Sequence, residues 1–234
     1  MNEIPTLVMV PGLGCNGEVW SETISALTDV ASCQLADISA GASIPEMAEG
    51  LLAGAPERFA LAGHSLGGYV AFEVLRRAPE RIHHLALIST SARPDLPDVS
   101  ERRRKMIALC KSGQYERVIE AVLPSVVAAA RMNDTVLIER VVAMMRQVGA
   151  ETFCRHQQAI IDRVDSRAGL PHIDVPTLVA AGDADALMPI ATQLELVESI
   201  PRADHVTIEG CGHTAPIERP HEVALALRSL IHTT

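Results

Sequence analysis

Arg58-Phe-Ala-Leu-Ala-Gly63-His64-Ser65-Leu66-Gly67-Gly68-Tyr69 is the stretch on which the reading of this chain turns. Arg58 to Ala62 is short and apolar, which predicts a buried strand. Tyr69 to Arg77 repeats apolar residues at helical intervals and stops at Ala78-Pro79, where the residue before proline is pushed out of the helical region. A strand that passes so abruptly into a helix needs backbone without a Cβ, and a glycine stands two residues to either side of Ser65. A serine hydroxyl is a poor nucleophile until it is lifted to where a base can reach it. The pattern G-x-S-x-G between strand and helix does this, and it marks Ser65 as a candidate nucleophile. A glycine-rich turn with a capping serine would share this composition but would predict no partners downstream.

Working outward, Thr6 to Val10 reads as a buried strand closed by Pro11-Gly12, and Val19, Trp20, Ile24 and Leu27 have helical spacing. Ser32 to Ala36 is a second strand candidate, and Ile44, Met47, Ala48, Leu51 and Leu52 make a helix with Pro45 in its first turn. His84 to Ile88, Thr177 to Ala181 and His205 to Ile208 are further strands. Strands alternating with helices of about three turns predict a three-layer α/β fold with a mostly parallel sheet. From about Arg93 to Leu170 no strand is apparent, whereas Glu101 to Lys111, Tyr115 to Leu123, Asp134 to Val148 and Glu151 to Arg163 look helical. Residues 1–92 and 171–234 are therefore expected to form one core, with 93–170 as an inserted helical cap.

A serine nucleophile needs a base that titrates near neutrality and a carboxylate to orient it. The strand ending at Ala181 runs into Gly182-Asp183-Ala184-Asp185, and His205 to Ile208 leads through Gly212 to His213. Loops at the carboxyl ends of parallel strands converge on one sheet edge. Ser65, an aspartate at 183 or 185, and His213 can therefore meet.

These residues resemble the α/β-hydrolase superfamily, whose chain order is nucleophile, acid, histidine, and the resemblance spans nearly the whole chain. In that family the acid commonly takes the fourth position of G-x-x-D-x-x-x-P. This pattern falls on Asp185 between Gly182 and Pro189 and leaves Asp183 as a turn residue. The family's G-H followed by E-x-P matches Gly212-His213 and Glu218-Arg219-Pro220. Pro11-Gly12-Leu13-Gly14 lies where the family has H-G-x-G, with proline in place of the histidine. The resemblance thus implies oxyanion-hole N–H donors at Leu13 and Leu66. The chain also starts at what would be the family's third strand. The implied activity is a cofactor-free serine hydrolase cleaving a small or medium carboxylic ester, with enol-lactone or carbon–carbon bond hydrolysis as the enzymatic alternative. Haloalkane dehalogenases and epoxide hydrolases of the superfamily use a carboxylate nucleophile, and residue 65 is not one. A ligand receptor on the same fold is the non-enzymatic alternative.

Gly12-Leu-Gly-Cys-Asn-Gly17 also spells G-x-G-x-x-G, with Asp37 ending the next strand, as in dinucleotide-binding oxidoreductases. That reading accounts for neither Ser65, Asp185 nor His213. The net charge of −9 and the small aromatic complement, one Trp, two Tyr and three Phe, oppose nucleic-acid binding. No apolar run is long enough to span a membrane, and Met1 to Thr6 lacks a leader pattern, so the expected location is cytoplasmic, with a small molecule as partner. Cys15, Cys33, Cys110, Cys154 and Cys211 are odd in number and scattered, which predicts reduced thiols and no metal site. His64 is expected to pack or hydrogen-bond beside the nucleophile. Arg102-Arg103-Arg104-Lys105 reads as a solvated helix face, and Met106, Met144 and Met145 as adaptable apolar lining or core.

Overall fold

A computed structural model of the chain describes residues 4–233. The part of the N-terminal reading that rests on Met1, Asn2 and Glu3 lies outside the described residues. β1 (Thr6–Val10) leads through a 3₁₀ turn at Gly17–Trp20 into α1 (Ser21–Ser25), β2 (Ser32–Leu35), α2 (Ile44–Gly54), β3 (Phe59–His64), α3 (Leu66–Arg77) and β4 (Ile82–Ile88). Three helices follow without a strand, α4 (Pro97–Lys111), α5 (Tyr115–Val126) and α6 (Thr135–Ile161). The chain then completes β5 (Thr177–Gly182), α7 (Ile190–Ser199), β6 (Ala203–Ile208), α8 (Ala215–Glu218) and α9 (Pro220–Ile231).

The strands form one sheet in the order β2-β1-β3-β4-β5-β6, parallel at every pairing, with Met9 beside Ala62, Ala62 beside Ala86 and Ala86 beside Leu178. Both faces are covered, so the central strands read as apolar runs without alternation. Leu7, Met9, Ala60, Ala62 and Ala86 face Trp20, Leu27 and the α9 residues Val223, Leu227 and Leu230. Val8, Val10, Leu61, Leu85 and Leu87 face the other way, onto Met47 and Leu51 of α2, Val70 and Val74 of α3, and Leu196 of α7. This is the three-layer arrangement expected from the alternation of elements.

The boundaries differ in places for physical reasons. β3 continues two residues further than anticipated, to His64, because its backbone keeps pairing with β4 up to Ile88. The helix expected through Val19 and Leu27 is a single 3₁₀ turn and a five-residue helix, packed by the wholly buried Trp20. The two helices anticipated at 134–148 and 151–163 meet at Gly149, whose φ of 79° interrupts α6. α7, α8 and α9 lie outside the elements expected from the sequence, although in α9 Val223, Leu227 and Leu230 have helical spacing and are all buried.

Candidate active site

Four loops at the carboxyl ends of the strands build the site, in the crevice where parallel sheets bind ligands. Ser65 follows β3 at φ 52° and ψ −111°, one of two described non-glycine residues with positive φ. The glycines around it are needed for close packing. A Cβ on Gly63 would strike the Gly67 carbonyl, one on Gly67 the Val10 carbonyl, and one on Gly68 the Thr90 hydroxyl. The Ser65 N–H reaches the Ile88 carbonyl at 2.9 Å, and Thr90 Oγ1 donates to the Ser65 carbonyl at 2.8 Å. The backbone strain is thus held by β4 on one side and by glycine contacts on the other. Nothing in the sequence singled out Thr90; its position just beyond β4, on the same sheet edge, was the available signal.

His213 and Asp185 arrive on the loops after β6 and β5. His213 Nε2 lies 2.8 Å from Ser65 Oγ, and His213 Nδ1 lies 2.9 Å from Asp185 Oδ2 and 3.1 Å from Oδ1. The Asp185 side chain is fully covered. Burial acts to raise its pKa, but the facing imidazole and the Leu187 and Met188 N–H groups, each 2.9 Å from Oδ1, outweigh burial and hold the carboxyl below its ordinary range. Asp183 is exposed and accepts the Cys211 N–H at 3.2 Å, a bond within the turn that brings the β5 and β6 loops together. The structure therefore brings Ser65, His213 and Asp185 together and leaves Asp183 outside.

His64, almost wholly buried, is held neutral first by desolvation and then by its proximity to His213, which push its pKa down to about 3. Its Nε2 lies 2.9 Å from the His213 carbonyl, so that nitrogen carries the proton and donates it. The Leu66 N–H opens α3 and the Leu13 N–H lies in the loop after β1; neither meets a protein acceptor among the described residues. Both residues border the reacting region: Leu13 lines the cavity beside Ser65, and Leu66 directly follows it.

That cavity has a volume of about 590 Å³ and is walled by the β1 loop, by Leu187 and Met188, and by α4, α5 and α6. Met106, Met144 and Met145 all contribute to its lining. The Arg102–Lys105 run resolves unevenly: Arg104 and Lys105 are solvated as expected, Arg102 is exposed at the cavity's edge and paired with Asp98 at 3.2 Å, and Arg103 is half-buried and turns inward to the cavity wall. Its partners there, Asp95 and Gln157, lie outside the helix, so no pattern within α4 could have indicated the direction.

The G-x-G-x-x-G reading finds no matching geometry. A Cβ on Gly17 would meet the Leu35 side chain, the helix that follows is only five residues long, and Asp37 accepts the Ser39 N–H next to it at 2.9 Å. Among the described residues no cluster of three or more His, Cys, Asp or Glu could hold a metal ion. No helix among them is long and apolar enough to cross a membrane.

Residues 51–220 match the family model described as alpha/beta hydrolase fold, and the chain belongs to that family. It is 28% identical to a pimeloyl-[acyl-carrier protein] methyl ester esterase of Aeromonas hydrophila, over 93% of this chain and 92% of the relative. A thermophilic esterase from Thermogutta terrifontis superposes with a TM-score of 0.90 at 27% identity, covering 98% of this chain and 91% of the other. The enol-lactonase from Burkholderia xenovorans LB400 shares the fold, with a TM-score of 0.88 at 23% identity over 99% and 93% of the two chains.

Proposed function

We propose that the protein is a serine hydrolase that cleaves small or medium carboxylic esters through an acyl-enzyme. The observation that carries this reading is the run of hydrogen bonds from Ser65 Oγ through His213 to Asp185, opening on the cavity that Ser65 lines. His213 Nε2 removes the Ser65 proton as Oγ attacks the ester carbonyl, while Asp185 fixes the imidazole tautomer and stabilises the cation that forms. The Leu13 and Leu66 N–H groups receive the charge that develops on the carbonyl oxygen; donors of this kind are worth about 3 kcal/mol each because the charge exists only in the transition state. The imidazolium returns its proton to the leaving alkoxide. Water, deprotonated by the same histidine, then releases the acid and restores Ser65.

In this reading residues 93–170 act as a cap, since α4, α5 and α6 wall the cavity above the strand ends. A cytoplasmic place of action fits the five unbridged cysteines. A net charge of −9 fits a small-molecule partner and not nucleic acid.

The test is a panel of p-nitrophenyl esters and lactones with wild type and Ser65→Ala, combined with intact mass after a fluorophosphonate probe. The expected result is a single adduct on wild type, absent from Ser65→Ala, with ester turnover lost in the same variant. Equal turnover by wild type and Ser65→Ala would end the esterase reading; lactone turnover without ester turnover would favour the enol-lactonase alternative.

A further inference from the structure

Among the side chains that wall the cavity with Ser65, charge is unevenly distributed. Asp95 is the one carboxylate among the cavity's lining residues, against four arginines: Arg93 and Arg102 are exposed and pair with Glu195 and Asp98 away from the cavity, and the guanidinium groups of Arg103 and Arg163 converge on Asp95 at 2.6 Å each. The Asp95 side chain is 3% exposed and that of Arg163 7%, so one carboxylate neutralises two nearly enclosed cations and a unit of positive charge is left over.

The two arginines are not equivalent. Arg163 is spent on structure: its N–H groups reach the Ile160 and Arg93 carbonyls as well as Asp95, and its guanidinium lies 4.2 Å from the Tyr69 ring centre. Arg103 uses Nε for Asp95 and Nη1 for the Gln157 amide oxygen, 2.7 Å away, while its Nη2 has no partner among the described residues. Its side chain is 18% exposed, on the face of α4 that lines the cavity. Asp95 and Gln157, on the same cavity wall, brace the guanidinium, as a binding group needs if it is to lose little freedom when a ligand arrives. In a chain of net charge −9, a braced cation with donors left over at the wall of the reaction cavity is placed to meet an anion.

We propose that Arg103 is a specificity-determining residue that receives a carboxylate carried by the substrate at the end remote from its scissile carbonyl, so that the favoured substrates are half-esters or lactones of dicarboxylic acids. This rests on the ester-hydrolase reading of Ser65. A guanidinium fork suits the planar carboxylate, and its bond to that group is charge-assisted. The acid end sits at Arg103 while the ester carbonyl sits at Ser65, and the cavity between them, with its methionines, takes the intervening methylene chain.

The test compares monomethyl esters of the linear dicarboxylic acids, succinate through suberate, with methyl esters of the monocarboxylic acids of equal length, at neutral pH. In wild type, kcat/KM for the best-fitting acid-ended ester is expected to exceed that of its neutral counterpart by about tenfold, the value of one charge-assisted bond. Arg103→Gln is expected to bring this ratio to about one, through KM for the acid-ended series. Arg103→Lys keeps a cation for Asp95 but loses the fork, and is expected to fall between them, which covers the case in which Arg103→Gln does not fold. A wild-type ratio at or below one at every chain length, or an unchanged ratio in Arg103→Gln, overturns the proposal. Turnover of neutral esters without preference would remove Arg103 alone. Failure of wild type to turn over either series, or to be labelled by the fluorophosphonate, would remove the hydrolase reading beneath it.

Discussion

Glu218 holds Ala128 from within the protein: its carboxylate, in a residue 3% exposed, accepts the Ala128 N–H at 2.9 Å through Oε2 and the Gly212 N–H at 3.1 Å through Oε1. Gly212 precedes the histidine of the site, and Ala128 closes the chain leaving α5. The Val126 carbonyl at the end of α5 takes the His213 and Thr214 N–H groups at 3.1 and 3.0 Å, so helix and histidine loop are fastened twice.

Removing the carboxylate strands two buried N–H groups, each at a cost of about 1–3 kcal/mol. Glu218→Ala is therefore expected to lower Tm by about 5–10 °C, and to reduce kcat more than it changes KM because the His213 loop loses its anchor. Thermal unfolding alongside ester kinetics checks both. An unchanged Tm would show that water replaces the carboxylate without loss.

Asp185→Asn separates the two aspartates of the β5 loop. An asparagine at 185 offers an amide N–H to His213 and selects the wrong imidazole tautomer, which in such triads costs about 10⁴-fold in kcat. Asp183→Asn keeps an oxygen for the Cys211 N–H, and its kcat is expected to stay within about threefold of wild type. Comparable losses in the two variants would remove the assignment to Asp185.

Much of this site is legible in the sequence. Buried parallel strands need apolar runs, and Thr6–Val10, Thr177–Ala181 and the strand before Ser65 stood out for that reason; the glycines flanking Ser65 announced the bend because any Cβ there would strike backbone. What escaped depended on partners distant in sequence. Arg103 points inward because Asp95 and Gln157 lie on either side of it, and Glu218, read only as part of a motif, proves to be a buried clamp because Ala128 comes to it from 90 positions away. α9 carries its signal in Val223, Leu227 and Leu230, spaced as one buried helical face.

The histidine beside the nucleophile makes stability depend on pH. His64 has a folded pKa of about 3 against an ordinary 6.5, so between these values the unfolded chain binds a proton that the folded protein does not. Its contribution is complete above pH 6.5 and declines as pH falls toward 3, by about 1.4 kcal/mol per unit. The depressed Asp185 carboxyl acts in the same direction, but only near and below the ordinary carboxylate range, whereas His156 and His83, whose burial also lowers their pKa, share the range from about pH 4.5 to 6.5 with His64, so the slope that belongs to His64 is the part lost when it is replaced. Urea unfolding across that window should show a stability that rises with pH in wild type and a visibly flatter profile in His64→Gln. Equal slopes would mean that His64 titrates normally.

Ser65 stores strain that its chemistry requires. At φ 52° and ψ −111° a Cβ is crowded by its own backbone, at a cost of about 1–3 kcal/mol, and glycine alone accepts this region freely. Ser65→Ala removes the hydroxyl but keeps the Cβ, whereas Ser65→Gly removes both. Both variants are expected to be inactive, and Ser65→Gly to be more stable than Ser65→Ala by about 1 kcal/mol, even though glycine at most positions costs stability through the freedom of the unfolded chain. Chemical denaturation of the two variants side by side measures the difference without reference to activity. Greater stability in the alanine variant would place the strain outside residue 65, in the packing of Gly63, Gly67 and Gly68 against their neighbours.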